Sequence, residues 1–193
     1  MSTEHRNIGE IVSLCKQGDR KSQKTLFEVF SSQMLSLCFR YASSQEDAED
    51  MLIEGFMRAF ENIDSYKDNG CDFVFWLRKV MINNCINFLN KQNKESMFTS
   101  IDYASEIDET QYEIPDTVAE NFTQEELFCC VQNLSPLMRS VFNLYAIDQF
   151  SYKEIATRLE ISEAMVKLYV FRARKQLKKH LMEISERKKQ AKQ

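Results

Sequence analysis

The chain has 193 residues, 44% of them apolar and 28% charged, which is the make-up of a soluble globular protein and excludes a disordered or fibrous one. Four glycines and two prolines are too few for the many turns of an all-β fold, and no apolar run approaches the roughly 18 residues of a membrane span. The net charge of −4 argues against a uniformly basic nucleic-acid binder, so any such activity has to come from a local concentration of cations.

In chain order, Ile8 to Gln17 is a short amphipathic helix closed by Gly18-Asp19. Ser22 to Ala42 carries Leu26, Phe27, Phe30, Met34, Leu37, Cys38 and Tyr41 at spacings that place them on one helical face. Ser44-Gln-Glu-Asp47 matches a capping box, in which side chains take up the orphan backbone N–H groups of a helix start. The helix behind it runs to about Ile63, with Ala48, Leu52, Phe56, Ala59, Phe60 and Ile63 inward.

After a loop around Gly70, a long helix runs from about Phe73 to Lys94. Leu77, Met81, Cys85 and Phe88 make its buried face, while Trp76, Lys79, Asn83, Asn87, Asn90 and Lys94 recur every three or four residues on the other. Amides between cations, led by an indole, suit unpaired bases. Periodicity alone favours an ordinary amphipathic helix with asparagines in water.

Between residues 95 and 121 the helical period is lost and Ser, Thr, Asp and Glu dominate around Pro115. The stretch reads as an acidic linker. Beyond it, Leu134-Ser135-Pro136 sets a serine before a proline at the first helical position, where its missing N–H costs nothing. The helix carries Val141, Leu144 and Tyr145 and breaks near Asp148-Gln149. Ser151 to Glu154 is a second capping box, Leu159-Glu160-Ile161 a turn, and Ser162 the cap of a last helix. From Ser151 onward the cations Lys153, Arg158, Lys167, Arg172, Arg174, Lys175, Lys178, Lys179, Arg187, Lys188, Lys189 and Lys192 face five glutamates. Such a block is a footprint for phosphates, although charge alone does not separate it from a solvated tail.

A short helix, a tight turn and a longer basic helix form a helix-turn-helix. Val166, Val170, Ala173, Leu177 and Leu181 are its expected inward positions, and Lys167, Leu168, Phe171, Arg172 and Lys175 its outward face. Lys167 and Arg172 suit guanine edges or phosphates, and Leu168 and Phe171 thymine methyl groups. An αα-hairpin that packs the same apolar residues on a protein partner is the competing reading.

The run from Phe150 to Leu177 resembles the C-terminal domain of bacterial sigma factors, of the extracytoplasmic-function type within the sigma-70 family. Ser151 to Ala156 and Val166 to Arg174 carry the likeness, with Glu160 where many relatives have glycine and Leu168-Tyr169 where they have Ser-Arg. The resemblance implies −35 promoter contacts from Ser162, Lys167, Leu168, Phe171, Arg172, Arg174 and Lys175. Phe73 to Lys91 is similar to the segment that captures the melted −10 element, implying contacts from Trp76, Lys79, Asn83, Asn87 and Lys91. Lys79 replaces an arginine there and Asn87 an aspartate, and the loop Asp68 to Val74, which pockets a flipped base in the family, is one residue longer. Asp47 to Glu54 resembles the polymerase-docking element, implying Asp47, Asp50 and Glu54 as docking residues.

The expected architecture is therefore all-α, with two helical domains: region 2 over 1–94, an acidic linker over 95–121 and region 4 over 122–193. The implied partners are core RNA polymerase and promoter DNA, with an anti-sigma factor left open. No cofactor, metal or catalytic residue is implied. The cysteines Cys15, Cys38, Cys71, Cys85, Cys129 and Cys130 form no C-x-x-C pair, which fits reduced thiols and a cytoplasmic setting. A dimeric helix-turn-helix regulator is the alternative; magnesium chemistry on Glu46, Asp47, Glu49, Asp50 and Glu54 is disfavoured, because these carboxylates point around one helix instead of converging.

Overall fold

Gly18, with φ of +82°, turns the first helix, α1 (Ile8–Lys16), into α2 (Arg20–Phe39). The Asp19 carboxylate caps α2, accepting from the Ser22 backbone N–H at 2.9 Å and from its hydroxyl at 2.6 Å. These bonds hold the Asp19 carboxyl below its ordinary range. The computed structural model describes residues 8–67, 72–96 and 122–190, the stretch 92–96 by backbone alone. Among them are eight α-helices and no strand.

The chain divides into two compact units, Met1–Glu95 and Ser96–Gln193. The first continues with α3 (Gln45–Glu61), a 3-10 turn (Ile63–Ser65) and α4 (Phe73–Ser96). Ser44 caps α3 by accepting from the Asp47 N–H at 3.0 Å. The expected linker lies outside the described residues, except that 95 and 96 still belong to α4.

Leu26, Met34, Cys38, Tyr41, Met51, Leu77, Met81 and Cys85 form the fully buried heart of this unit. Sulfur lines much of it, and the Cys38 and Cys85 Sγ atoms lie 4.0 Å apart. Burial, and then the charge of Asp19, push the Cys15 thiol up to about 11, so it stays a protonated core residue. Cys38, Cys85 and Cys130 are likewise buried free thiols, while Cys129 is exposed. Gly55 lets α3 and α4 meet: a Cβ there would run into the Met81 sulfur.

The second unit begins with α5 (Gln124–Gln132), a helix the sequence pattern did not announce. A capping box starts it: Thr123 accepts from the Glu126 N–H at 3.2 Å, and Glu126 accepts from the Thr123 N–H at 2.9 Å. Lys188, near the end of the last helix, bonds the same Glu126 carboxylate at 2.6 Å. Next comes α6 (Pro136–Phe142), with Ser135 in the cap position but making no side-chain cap bond. Asn143–Ile147 continues it as one π-helical turn. Arg139 is buried on α6 and donates to Gln132 twice, to Oε1 at 2.7 Å and to the carbonyl at 3.2 Å.

The last two helices are α7 (Tyr152–Leu159) and α8 (Glu163–Gln190). α8 packs against α5, α6 and α7. Val166, Val170, Ala173, Leu177 and Leu181 are all buried along it, as the periodicity requires.

Candidate nucleic-acid interfaces

Local chemistry sets the angle between α7 and α8. The Ser151–Glu154 capping box is complete, with the Ser151 N–H and hydroxyl donating to the Glu154 carboxylate at 2.9 and 2.7 Å. α7 stops at Glu160, whose φ of 57° and ψ of 37° are left-handed. That conformation favours glycine because a Cβ crowds the backbone, so a glutamate here carries a local strain. The Ile161 N–H closes the turn on the Ala156 carbonyl at 3.1 Å, and Ser162 caps α8 by accepting from the Met165 N–H at 3.2 Å.

Lys167 and Lys175 are exposed on α8, and Phe171, Arg172 and Arg174 are half-buried. Leu168 departs from expectation. Placed on the outward face by the periodicity, it is instead buried, with 7% of its surface exposed. Because α8 is held by three helices, burial in its first turns extends beyond a single stripe, and Leu168 presents no methyl groups to a groove.

Two of the cations are held in place by aromatic rings. Tyr145, on the π turn, stacks on Tyr152, the first residue of α7, with centroids 4.8 Å apart and planes 16° apart. Lys167 lies 5.9 Å from the Tyr152 ring and Arg174 lies 5.5 Å from the Tyr145 ring. Contacts of this type orient a cation while leaving its donors available. The arrangement joins residues from three elements, and only the charges and the helical period were visible in sequence.

In the first unit, α4 presents Lys79, Asn87 and Lys91 exposed and Asn83 half-buried. Leu77, Met81 and Cys85 are fully buried on the opposite side, with Phe88 half-buried. Trp76 is half-buried too, its ring 5.8 Å from Tyr66 and 5.4 Å from Phe73. The exposed aromatic at this end of α4 is Phe75. Asn84 belongs to neither expected face: it is buried and donates to the Met51 carbonyl at 2.8 Å, tying α4 to α3.

An open groove of about 610 Å³ runs between these helices. Glu54, Met57, Arg58 and Glu61 line one side, and Val80, Asn83, Asn84, Asn87 and Lys91 the other. Glu54, expected in docking, therefore shares a groove with three of the expected −10 residues. Asp50 is exposed and Asp47 half-buried on α3. The carboxylates of α3 do not gather: among the described residues no three His, Cys, Asp or Glu are grouped to hold a metal ion. The loop expected from the resemblance to pocket a base lies outside the described residues over 68–71.

Comparison with known proteins bears on both units. The family model for sigma-70 region 2 matches residues 26–95, and the model for sigma-70 region 4 matches residues 124–177. The extracytoplasmic-function sigma factor SigW of Bacillus subtilis is 27% identical over 187 residues, covering 92% of this chain and 98% of that protein. The sigma-E factor of Haemophilus influenzae is 25% identical over 177 residues, covering 86% and 91%. The sigma factor RpoE of Bartonella quintana, solved with the anti-sigma factor NepR, aligns with a TM-score of 0.47 at 20% identity, over 82% of this chain and 96% of that one. Among the described residues, no helix is long and apolar enough to cross a membrane.

Proposed function

The chain belongs to the sigma-70 family, as an extracytoplasmic-function sigma factor, and from that premise we propose how its residues direct core RNA polymerase to promoters. Region 2 occupies 1–94, region 4 occupies 122–193, and the acidic stretch 95–121 is the tether. Its 25 residues beyond the end of α4, 97–121, at about 3.3 Å each, can reach about 80 Å, enough for sites two turns of duplex apart, about 70 Å. The protein works in the cytoplasm, where polymerase and chromosome meet.

The observation that carries this assignment is the pairing of two outward cationic helix faces, one on each family-matched unit. On α8, Arg172 and Lys175 reach base edges or phosphates of the −35 duplex, Phe171 offers apolar contact to a thymine methyl, and Lys167 and Arg174 contact phosphates from their tyrosine supports. The capped N-terminus at Ser162 adds backbone N–H groups facing a phosphate. On α4, Asn83 and Asn87 hydrogen-bond the exposed edges of unpaired −10 bases while Lys79 and Lys91 hold the strand. Asp47, Asp50 and Glu54 on α3 dock on the polymerase. The mechanism is differential binding without a covalent step: contacts made only to melted DNA favour the open complex.

Run-off transcription tests this reading directly. Purified bacterial core polymerase is mixed with the full chain and a pool of genomic promoter fragments. Specific transcripts are expected only when both proteins are present. No transcripts, together with no co-purification with core, would overturn it.

A further inference from the structure

The first helix, α1, lies ahead of the residues that match the region 2 model, 26–95. It buries Ile11, Val12 and Cys15 and packs on the 3-10 turn Ile63–Ser65 as well as on α2. Its last residue, Lys16, reaches across 50 positions of sequence to Tyr66, with Nζ donating to the Tyr66 carbonyl at 2.7 Å. The same ammonium lies 5.8 Å from the centroid of the Tyr66 ring. Tyr66 leaves the 3-10 turn in an extended conformation, with φ of −69° and ψ of 122°, so its carbonyl points out of the helical register and meets the lysine.

Tyr66 is in turn the residue against which α4 begins. It is buried, its ring stands edge-on to Phe73 at 5.3 Å, and it lies 5.8 Å from Trp76. Contacts therefore run from cation to carbonyl, and from ring to indole. They join a helix outside the family match to the residue that heads the polar face of α4.

We propose that Lys16 is a positioning residue for promoter opening, fixing where Trp76 stands by holding Tyr66 through both its backbone and its ring. The role rests on the region 2 reading above. Ring pairs are satisfied over centroid distances of roughly 4.5–7 Å, so on their own they leave Tyr66 latitude. A hydrogen bond is satisfied over only a few tenths of an ångström, and it removes that latitude. Lys16 is exposed, and holding an exposed lysine in one geometry costs side-chain freedom. A charge-assisted bond and a cation–π contact made by the same ammonium offset that cost.

The test uses the full chain, free and loaded on bacterial core polymerase, with a promoter fragment recovered by the run-off selection. Trp76 is the one tryptophan, so acrylamide quenching of indole emission in the free protein reports how firmly it is held. Permanganate reactivity of unpaired thymines reports opening, and filter binding at low temperature reports the closed complex. Lys16→Met keeps the aliphatic stem and loses the donor. It should raise quenching and slow opening about five-fold, the weight of one partly exposed charge-assisted bond. Core binding and the closed complex should stay as in wild type. Lys16→Arg can donate to the carbonyl and lie over the ring, and should restore wild-type quenching and opening to within about two-fold.

Unchanged quenching and opening in Lys16→Met overturn the proposal and leave the sigma reading intact. Slower opening with unchanged quenching also overturns it, because that marks a direct contact of the ammonium with phosphate. So does raised quenching with normal opening, which marks a tie without consequence for the promoter. An equal loss in the closed complex, or a failure of Lys16→Arg to restore both readouts, overturns it too. If the wild-type chain itself opens no promoter, the region 2 reading fails and takes this one with it.

Discussion

The helices α4 and α8 rest on different foundations. α4 buries its own Met81 and Cys85 in a core that also holds Met34, Cys38 and Met51, all fully buried, and its seat on α3 involves a missing side chain at Gly55 and one amide bond from Asn84. α8 buries its own Val166 and Val170 in a core that also holds Val141, Leu144 and Ile155, and its direction is set by two capping serines and one left-handed residue. Unit 1 holds α4 by long-range packing, whereas unit 2 adds local backbone chemistry at both ends of the α7–α8 turn to the packing of α8 on three helices. Damage to the first should spread through the core, and damage to the second should stay in one turn.

The chain has one tryptophan, Trp76, so intrinsic indole fluorescence follows unit 1 while circular dichroism follows both. Gly55→Val should have the largest effect on unit 1, lowering its stability by about 1–3 kcal/mol, because the Met81 side chain it meets is fully buried and has to repack. A shifted fluorescence transition is expected with the unit 2 transition unmoved; no shift would show that α3 and α4 can separate cheaply. Next, Arg172→Ala should cost about 1–3 kcal/mol of promoter affinity, already at the closed stage, whereas Asn83→Ala should impair opening more than duplex binding. Equal losses at both stages for Asn83→Ala would erase the division of labour between the units.

Ser151→Ala removes the acceptor of the Glu154 N–H and should destabilise unit 2 by about 1 kcal/mol, visible by circular dichroism and silent in indole fluorescence. Glu160→Gly works the other way, relieving a φ of 57° and stabilising unit 2 by about 0.5–1 kcal/mol. A loss instead would mean that the Glu160 side chain contributes more than its backbone costs. The smallest effect concerns acid. The Lys188 hydrogen bond, followed by the Thr123 N–H, holds the Glu126 carboxyl below its ordinary value of 4.5. Its contribution is complete above that pH and fades as pH falls through the lower folded value. Lys188→Met should flatten the acid limb of unit 2's stability profile; an unchanged limb would place its origin elsewhere.

Legibility in the sequence followed the same division. The Ser151 and Ser162 caps, the break near Gln149 and the buried stripe from Val166 to Leu181 depend on residues a few positions apart, and the sequence pattern located each of them. Leu168 was misplaced because its burial depends on helices distant in sequence, which a helical wheel does not contain. Asn84 was missed for the same reason, since its partner carbonyl lies at Met51, and so was the Tyr145–Tyr152 stack that carries Lys167 and Arg174. α5 went unannounced because Cys130 is its one fully buried position, which leaves no apolar stripe to mark the helix; its Thr123–Glu126 capping box was the local signal that could have found it. In α4 the polar stripe was visible, but whether Phe75 or Trp76 faces water is decided by Tyr66, a residue outside the helix.

The sulfur-rich contact between α4 and the rest of its unit has a mechanical side. Methionine side chains are unbranched and polarizable, and they fill an irregular gap in several ways at similar energy. A helix seated on them is compliant: it can tilt or slide a fraction of an ångström under load without opening a void. In the role proposed above for α4, strand separation would load the helix in that way, by pulling on the face that holds the bases. Around the first turns of α8 the fully buried Val141, Ile155, Val166 and Val170 are β-branched and stiff by comparison, which suits the duplex-reading face proposed for that helix.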